Sequence, residues 1–150
     1  MKLYHATYTE SVPSIMANGL RPCSRHNWDG GYDLEGKVFL AFDPAVAEDY
    51  LTAANTYDGS PISILEIDSK NINIDKIGYD WNNRCESEAD INSIAYAGVI
   101  RKFRIMQEDD LMAITQPVQF ADLGHGDDDA QRIYWIIADV FDEQVASKIE

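Results

Sequence analysis

Four residues in the first third of the chain have side chains and spacing that suit chemistry on a nucleotide: His5, Thr7, Phe39 and Tyr50. The segment Leu3-Tyr4-His5-Ala6-Thr7 reads as a strand carrying an imidazole and a hydroxyl, groups that hold ribose hydroxyls. Val38-Phe39-Leu40-Ala41 reads as a second strand, and the acid- and alanine-rich run behind it reaches Tyr50. An aromatic on a strand and another on the following helix can sandwich a flat ring. His5 alone reads as a structural histidine; the ordered set is what implies a cleft.

The elements that must position these residues follow from local signals. Thr9 or Ser11 is the expected cap of a short helix with Val12, Ile15 and Met16 on one face, Pro13 in its first turn and Gly19 as its stop. Residues 21–36 hold Pro22, three glycines, Trp28 and Tyr32, and read as a loop. Lys37 to Phe42 reads as a strand, Asp43-Pro44 as a helix entry, and Ala47, Tyr50, Leu51 and Ala54 as part of that helix. Ile62 to Ile67 is the next expected strand. Ile72 and Ile74 continue apolar at period two. Strands are expected over Ile91–Ala97 and Val99–Met106, on either side of Gly98. Ile133, Ile136, Ile137, Val140, Phe141 and Val145 recur at helical spacing, predicting a packing helix over 129–148. Helices at the ends and strands between them imply an α+β domain with a mostly antiparallel sheet.

Composition narrows the function classes. The 150 residues fit one domain, 45% hydrophobic and 25% charged, with no apolar run near membrane-spanning length. A cytoplasmic location is the expectation. Asp and Glu total 26 against 12 for Lys and Arg, a net charge of −14. That field repels phosphate backbones and disfavours sequence-independent nucleic-acid binding. A local basic cleft built from Arg21, Arg25, Lys37, Arg101, Lys102 or Arg104 can survive it. Cys23 and Cys85 form neither a disulfide framework nor a zinc spacing. Gly124-His125-Gly126-Asp127-Asp128-Asp129 lacks the alternation of a calcium loop and reads as a turn into an acid-capped helix. No metal is expected.

The ordered residues resemble the ADP-ribosyltransferase superfamily over roughly the first 100 residues, particularly its His-Tyr-Glu branch of diphtheria-type toxins and poly-ADP-ribose polymerases. The resemblance implies two small, mostly antiparallel sheets splayed around an NAD cleft with peripheral helices. NAD would be a substrate. His5 would hold the nicotinamide-side ribose, Ala6 would offer its backbone to the carboxamide, and Thr7 would take a ribose hydroxyl. Phe39-Leu40-Ala41 matches an aromatic-x-Ala strand, and Tyr50, nine residues on, would stack on nicotinamide. Arg25 would add a cation. The family's catalytic Glu has no counterpart in register: Asn92 or Ser93 stands there, with Glu86, Glu88 and Asp90 just upstream. One of Asp90, Asn92 and Ser93 is expected to meet the ribose at the reacting side. The implied activity is transfer of ADP-ribose to an acceptor, a protein given the acidic surface, as in a bacterial or phage effector.

Two other readings stay open. Gly19-Leu20-Arg21-Pro22-x-Ser24-Arg25-His26 resembles the RNA 2′-phosphotransferases, in which an Arg-His pair handles phosphate. A non-catalytic module that binds NAD, ADP-ribose or a protein would dispense with the Glu.

Overall fold

The structure, a computed structural model, describes residues 1–22, 36–54, 57–80, 85–112 and 118–149, with side chains through 143. Among them are six strands and five α-helices: β1 (Lys2–Tyr8), α1 (Val12–Asn18), β2 (Val38–Ala41), α2 (Pro44–Ala53), β3 (Ile62–Asp68), β4 (Ile77–Tyr79), β5 (Ser93–Tyr96), β6 (Arg104–Ile105), α3 (Glu108–Met112), α4 (Phe120–Leu123) and α5 (Asp128–Ile149). The fold is α+β. The strands form one sheet in the order β4-β5-β2-β1-β3-β6, with every neighbouring pair antiparallel.

That single sheet replaces the two expected, and its pairing shows how near it comes to dividing. β1 and β3 share seven register pairs, from Lys2↔Asp68 to Tyr8↔Ile62. β1 and β2 share one, Tyr4↔Ala41. β2 instead pairs along its length with β5, from Val38↔Tyr96 to Ala41↔Ser93. The sheet is thus two three-stranded halves joined at one point. Beyond Tyr4 the β2-facing backbone groups of β1 have no ladder partner in β2.

Side chains alternate across a strand, so Leu3 and Tyr4 begin two different cores. On one face Leu3, Leu40, Leu65, Ile67 and Ile94 are sealed under α5 through Ile133, Ile137 and Phe141. Each such burial contributes about 1.5–3 kcal/mol. The spacing of those α5 residues is the expected helical stripe; Val145 lies beyond the described side chains. On the other face Tyr4, Ala41, Ala47, Ile64 and Met106 pack together, with Ala47 supplied by α2.

Local entries and exits follow their residues. Asp43, itself buried, accepts from the Ala45 amide and starts α2. Gly19 ends α1 at φ +83°, donating its amide to the Ile15 carbonyl at 2.7 Å. Neither Thr9 nor Ser11 caps α1: a 3-10 turn over Thr9–Ser11 runs straight into the helix, so backbone carbonyls serve the first amides. The Thr9 hydroxyl instead bonds Ser63 Oγ.

Two other expectations change. Ile74 sits in a 3-10 turn, because the Asn73 side chain accepts from the Asp75 amide and bends the chain out of a strand. The strand expected over 99–106 is a bridge at Ile100 followed by the two-residue β6. The acidic run Glu108-Asp109-Asp110 opens the short helix α3.

Candidate functional site

Where β1 and β2 separate, the molecule opens a cavity of about 440 Å3, within the range of small-ligand sites. Residues of both faces of β1 line it, from Tyr4 to Tyr8, as do Lys37, Val38, Phe39 and Ala41 of the β2 segment. This is the geometry of a gap passing between half-sheets. The C-terminal part of α1 closes one side, and Ala47, Tyr50 and Leu51 of α2 close another.

Eight residues named from the sequence converge here: His5, Ala6, Thr7, Phe39, Ala41 and Tyr50 in the wall, with Arg21 and Lys37 among the expected cations. Arg25, His26, Trp28, Tyr32, Cys23 and Trp81 lie outside the described residues.

His5 bridges the gap. Its Nδ1 lies 2.8 Å from the Phe39 carbonyl oxygen. A carbonyl only accepts, so Nδ1 carries the proton. Burial lowers the imidazole pKa below its ordinary 6.5, outweighing the opposing pull of that hydrogen bond. The ring is therefore neutral at pH 7, and its Nε2 lone pair, without a partner among the described residues, is an acceptor suited to a hydroxyl donor. Thr7, on the same face of β1, adds a hydroxyl to the wall.

Tyr50 is held from behind. Its hydroxyl donates to Asn92 Oδ1 and lies 3.3 Å from Ser93 Oγ. Ser93, itself 2% exposed, donates to Asp80 Oδ2 at 2.7 Å. Burial, reinforced by the Asp80 carboxylate and Cys85 and opposed by Ser93, pushes the phenol up to about 12. Tyr50 thus stays protonated and presents a fixed ring to the cavity. Asn92 and Ser93 are not among the described residues of the wall and meet the tyrosine hydroxyl behind it. Asp90 ends an exposed 3-10 turn over Glu88–Asp90 and is not in the described wall either. The polar residue the sequence did not single out is Asp80. It is a buried carboxylate at the end of β4, and its only sequence signal is its place after the apolar Ile77-Gly78-Tyr79.

Charge sorts sharply around the cavity. Of a chain with 26 acidic residues, none contributes to the described wall, whereas Arg21 and Lys37 both do. Among the other expected cations, Arg104 is engaged by Glu66 and Asp110. Such a wall favours an anionic ligand with a flat, polar-edged ring.

His125 is exposed, and the acids after it serve α5: Asp127 accepts from the Ala130 amide, and Asp129 accepts from Ser69. Among the described residues no group of His, Cys, Asp and Glu gathers as a metal site, and no helix is long and apolar enough to cross a membrane. Neither the models of known protein families nor the curated proteins include a match to this chain.

Proposed function

We propose that the protein is an NAD-dependent ADP-ribosyltransferase whose cavity takes the nicotinamide–ribose half of NAD. The observation that carries the proposal is the composition of the wall: two cations, no described carboxylate, a neutral imidazole and four aromatic residues, Phe39 and Tyr50 among them, in a cavity of fitting size. His5 Nε2 accepts from a ribose hydroxyl, while Phe39 and Tyr50 flank the ring. The β2-facing backbone of β1 offers amides and carbonyls to the carboxamide. The glycosidic carbon–nitrogen bond breaks, nicotinamide departs with the electron pair, and an acceptor nucleophile forms the new bond to the ribose carbon. Preorganised orientation and dipoles supply the acceleration. A protein acceptor agrees with a net charge of −14.

The same wall favours a second reading, a module that binds NAD or ADP-ribose without turnover. The carboxylate behind Tyr50, Asp80, is separated from the cavity by Ser93 and the phenol. Incubation of the full chain with labelled NAD, with and without cell lysate, separates the two. Nicotinamide release abolished by His5→Ala and Tyr50→Ala, with label on a lysate protein, supports the transferase. Saturable binding without release supports the module, and absence of both removes NAD as the ligand.

A further inference from the structure

We propose that Arg21 and Arg101 form a diphosphate-binding clamp at the mouth of the cavity. The two arginines are brought together by an antiparallel bridge. The Leu20 amide donates to the Ile100 carbonyl at 2.7 Å, and the Ile100 amide returns the bond to Leu20 at 2.8 Å. Each arginine directly follows a bridged residue. Arg21 Nε and Arg101 Nη1 then reach the same acceptor, the Asn18 carbonyl at the end of α1, each at 3.4 Å. Asn18 and Arg21 are part of the cavity wall.

A helix C-terminus accounts for one nearby cation; it does not account for two guanidiniums converging on one neutral oxygen. Elsewhere three exposed cations are ion-paired, whereas no ion pair of the exposed Lys70, Lys76 or Lys102 occurs among the described residues. Lys2 lies on Asp68 and Glu66, Arg104 on Glu66 and Asp110, and Arg132 on Asp75. No ion pair of Arg21 or Arg101 occurs among the described residues, in a chain where acids outnumber bases more than two to one. At 3.4 Å their contacts to Asn18 are long, so each guanidinium keeps most of its five donors for a ligand.

Gly19 makes the arrangement possible. A Cβ there would come within 3.2 Å of Arg101 Cγ and 2.8 Å of Val99 Cγ1, so glycine lets the Arg101 stem cross the helix end. Planar, always-charged forks of this kind bind phosphate oxygens in pairs. A diphosphate, with anionic oxygens on two phosphorus atoms, matches two forks better than a single carboxylate does.

The clamp deepens the NAD reading, on which it rests for the ligand's identity, and the test separates the two. Binding of inorganic pyrophosphate, NAD and nicotinamide riboside is measured by titration calorimetry on the full chain. The variants are Arg101→Gln, Arg21→Gln and, as a charge-matched control away from the cavity, Lys2→Gln. The expected result is pyrophosphate binding weakened about tenfold or more by either arginine substitution and unchanged in the control. NAD should bind more tightly than the phosphate-free riboside, with that advantage shrinking in the same two variants. Riboside binding without pyrophosphate binding, or pyrophosphate binding indifferent to both arginines, overturns the clamp and leaves the cavity reading intact. Pyrophosphate binding that depends on the arginines, with no riboside binding, supports the clamp and removes the nicotinamide reading.

Discussion

Acidification from about pH 7.5 to about pH 5.5 should cost this protein stability through one imidazole. In the unfolded chain His5 titrates near its ordinary 6.5; in the fold, burial holds it lower despite the bond to the Phe39 carbonyl. Below 6.5 the unfolded state therefore binds a proton that the native state refuses. The contribution of neutral His5 is fully present above 6.5 and is lost as the pH falls toward the folded value. One unit below 6.5 the loss reaches at most about 1.4 kcal/mol, the free energy of protonating the unfolded imidazole. For a chain of this size that is a fall in Tm of about 3–6 °C. Other groups titrate too, and relief of the −14 charge acts in the opposite sense. The measured quantity is accordingly the difference between wild type and His5→Gln, which has no imidazole to titrate. Urea unfolding at the two pH values should show wild type losing more stability than the variant. Parallel losses, or a His5 ring that titrates at or above 6.5 by NMR in the native protein, would refute the neutral, Nδ1-protonated imidazole on which its acceptor role depends.

Three further substitutions probe the frame around the cavity. Tyr50→Phe keeps the ring but removes the hydroxyl that Asn92 and Ser93 hold; it should destabilise by about 1–2 kcal/mol in urea unfolding. NAD should still bind Tyr50→Phe, whereas Tyr50→Ala, without a stacking face, should lose about tenfold or more in affinity. Gly19→Ala places a Cβ 2.8 Å from Val99 Cγ1 at φ +83° and should cost about 1–3 kcal/mol of stability, read by the same unfolding. Ile137→Ala, at a position with no exposure, should cost about 2–5 kcal/mol by leaving a hole beneath α5, with the cavity between the half-sheets unaffected.

The sequence by itself determined what neighbouring residues decide. Asp43-Pro44 starts a helix because a short carboxylate can reach the Ala45 amide. Gly19 stops one because it alone takes a positive φ beside Val99 without a clash. The stripe through Ile133, Ile137 and Phe141 marks the buried face of α5 because its period is the helix's own. The sequence also placed His5 and Phe39 on two strands and Tyr50 on the helix after the second, which sufficed to nominate them together.

Only the tertiary structure decided what lies between those elements. No local pattern records that β1 and β2 meet at Tyr4↔Ala41 and then part, since that depends on pairing across more than 30 residues, where loop closure and packing decide the outcome. The His5–Phe39 bond and the cavity follow from that parting. Likewise, the acids nearest in sequence to Asn92 do not enter the wall: Asp90 ends on the outside. Asp80, 13 residues from Ser93, is brought against it by the β4–β5 pairing. Period-two apolarity at Ile72 and Ile74 did not make a strand, because Asn73 has a closer backbone partner than any neighbouring strand could offer. Charge was legible as a total, but the absence of acids from the described wall of one cavity that holds Arg21 and Lys37 was not, because the fold decides which side chains turn inward or outward.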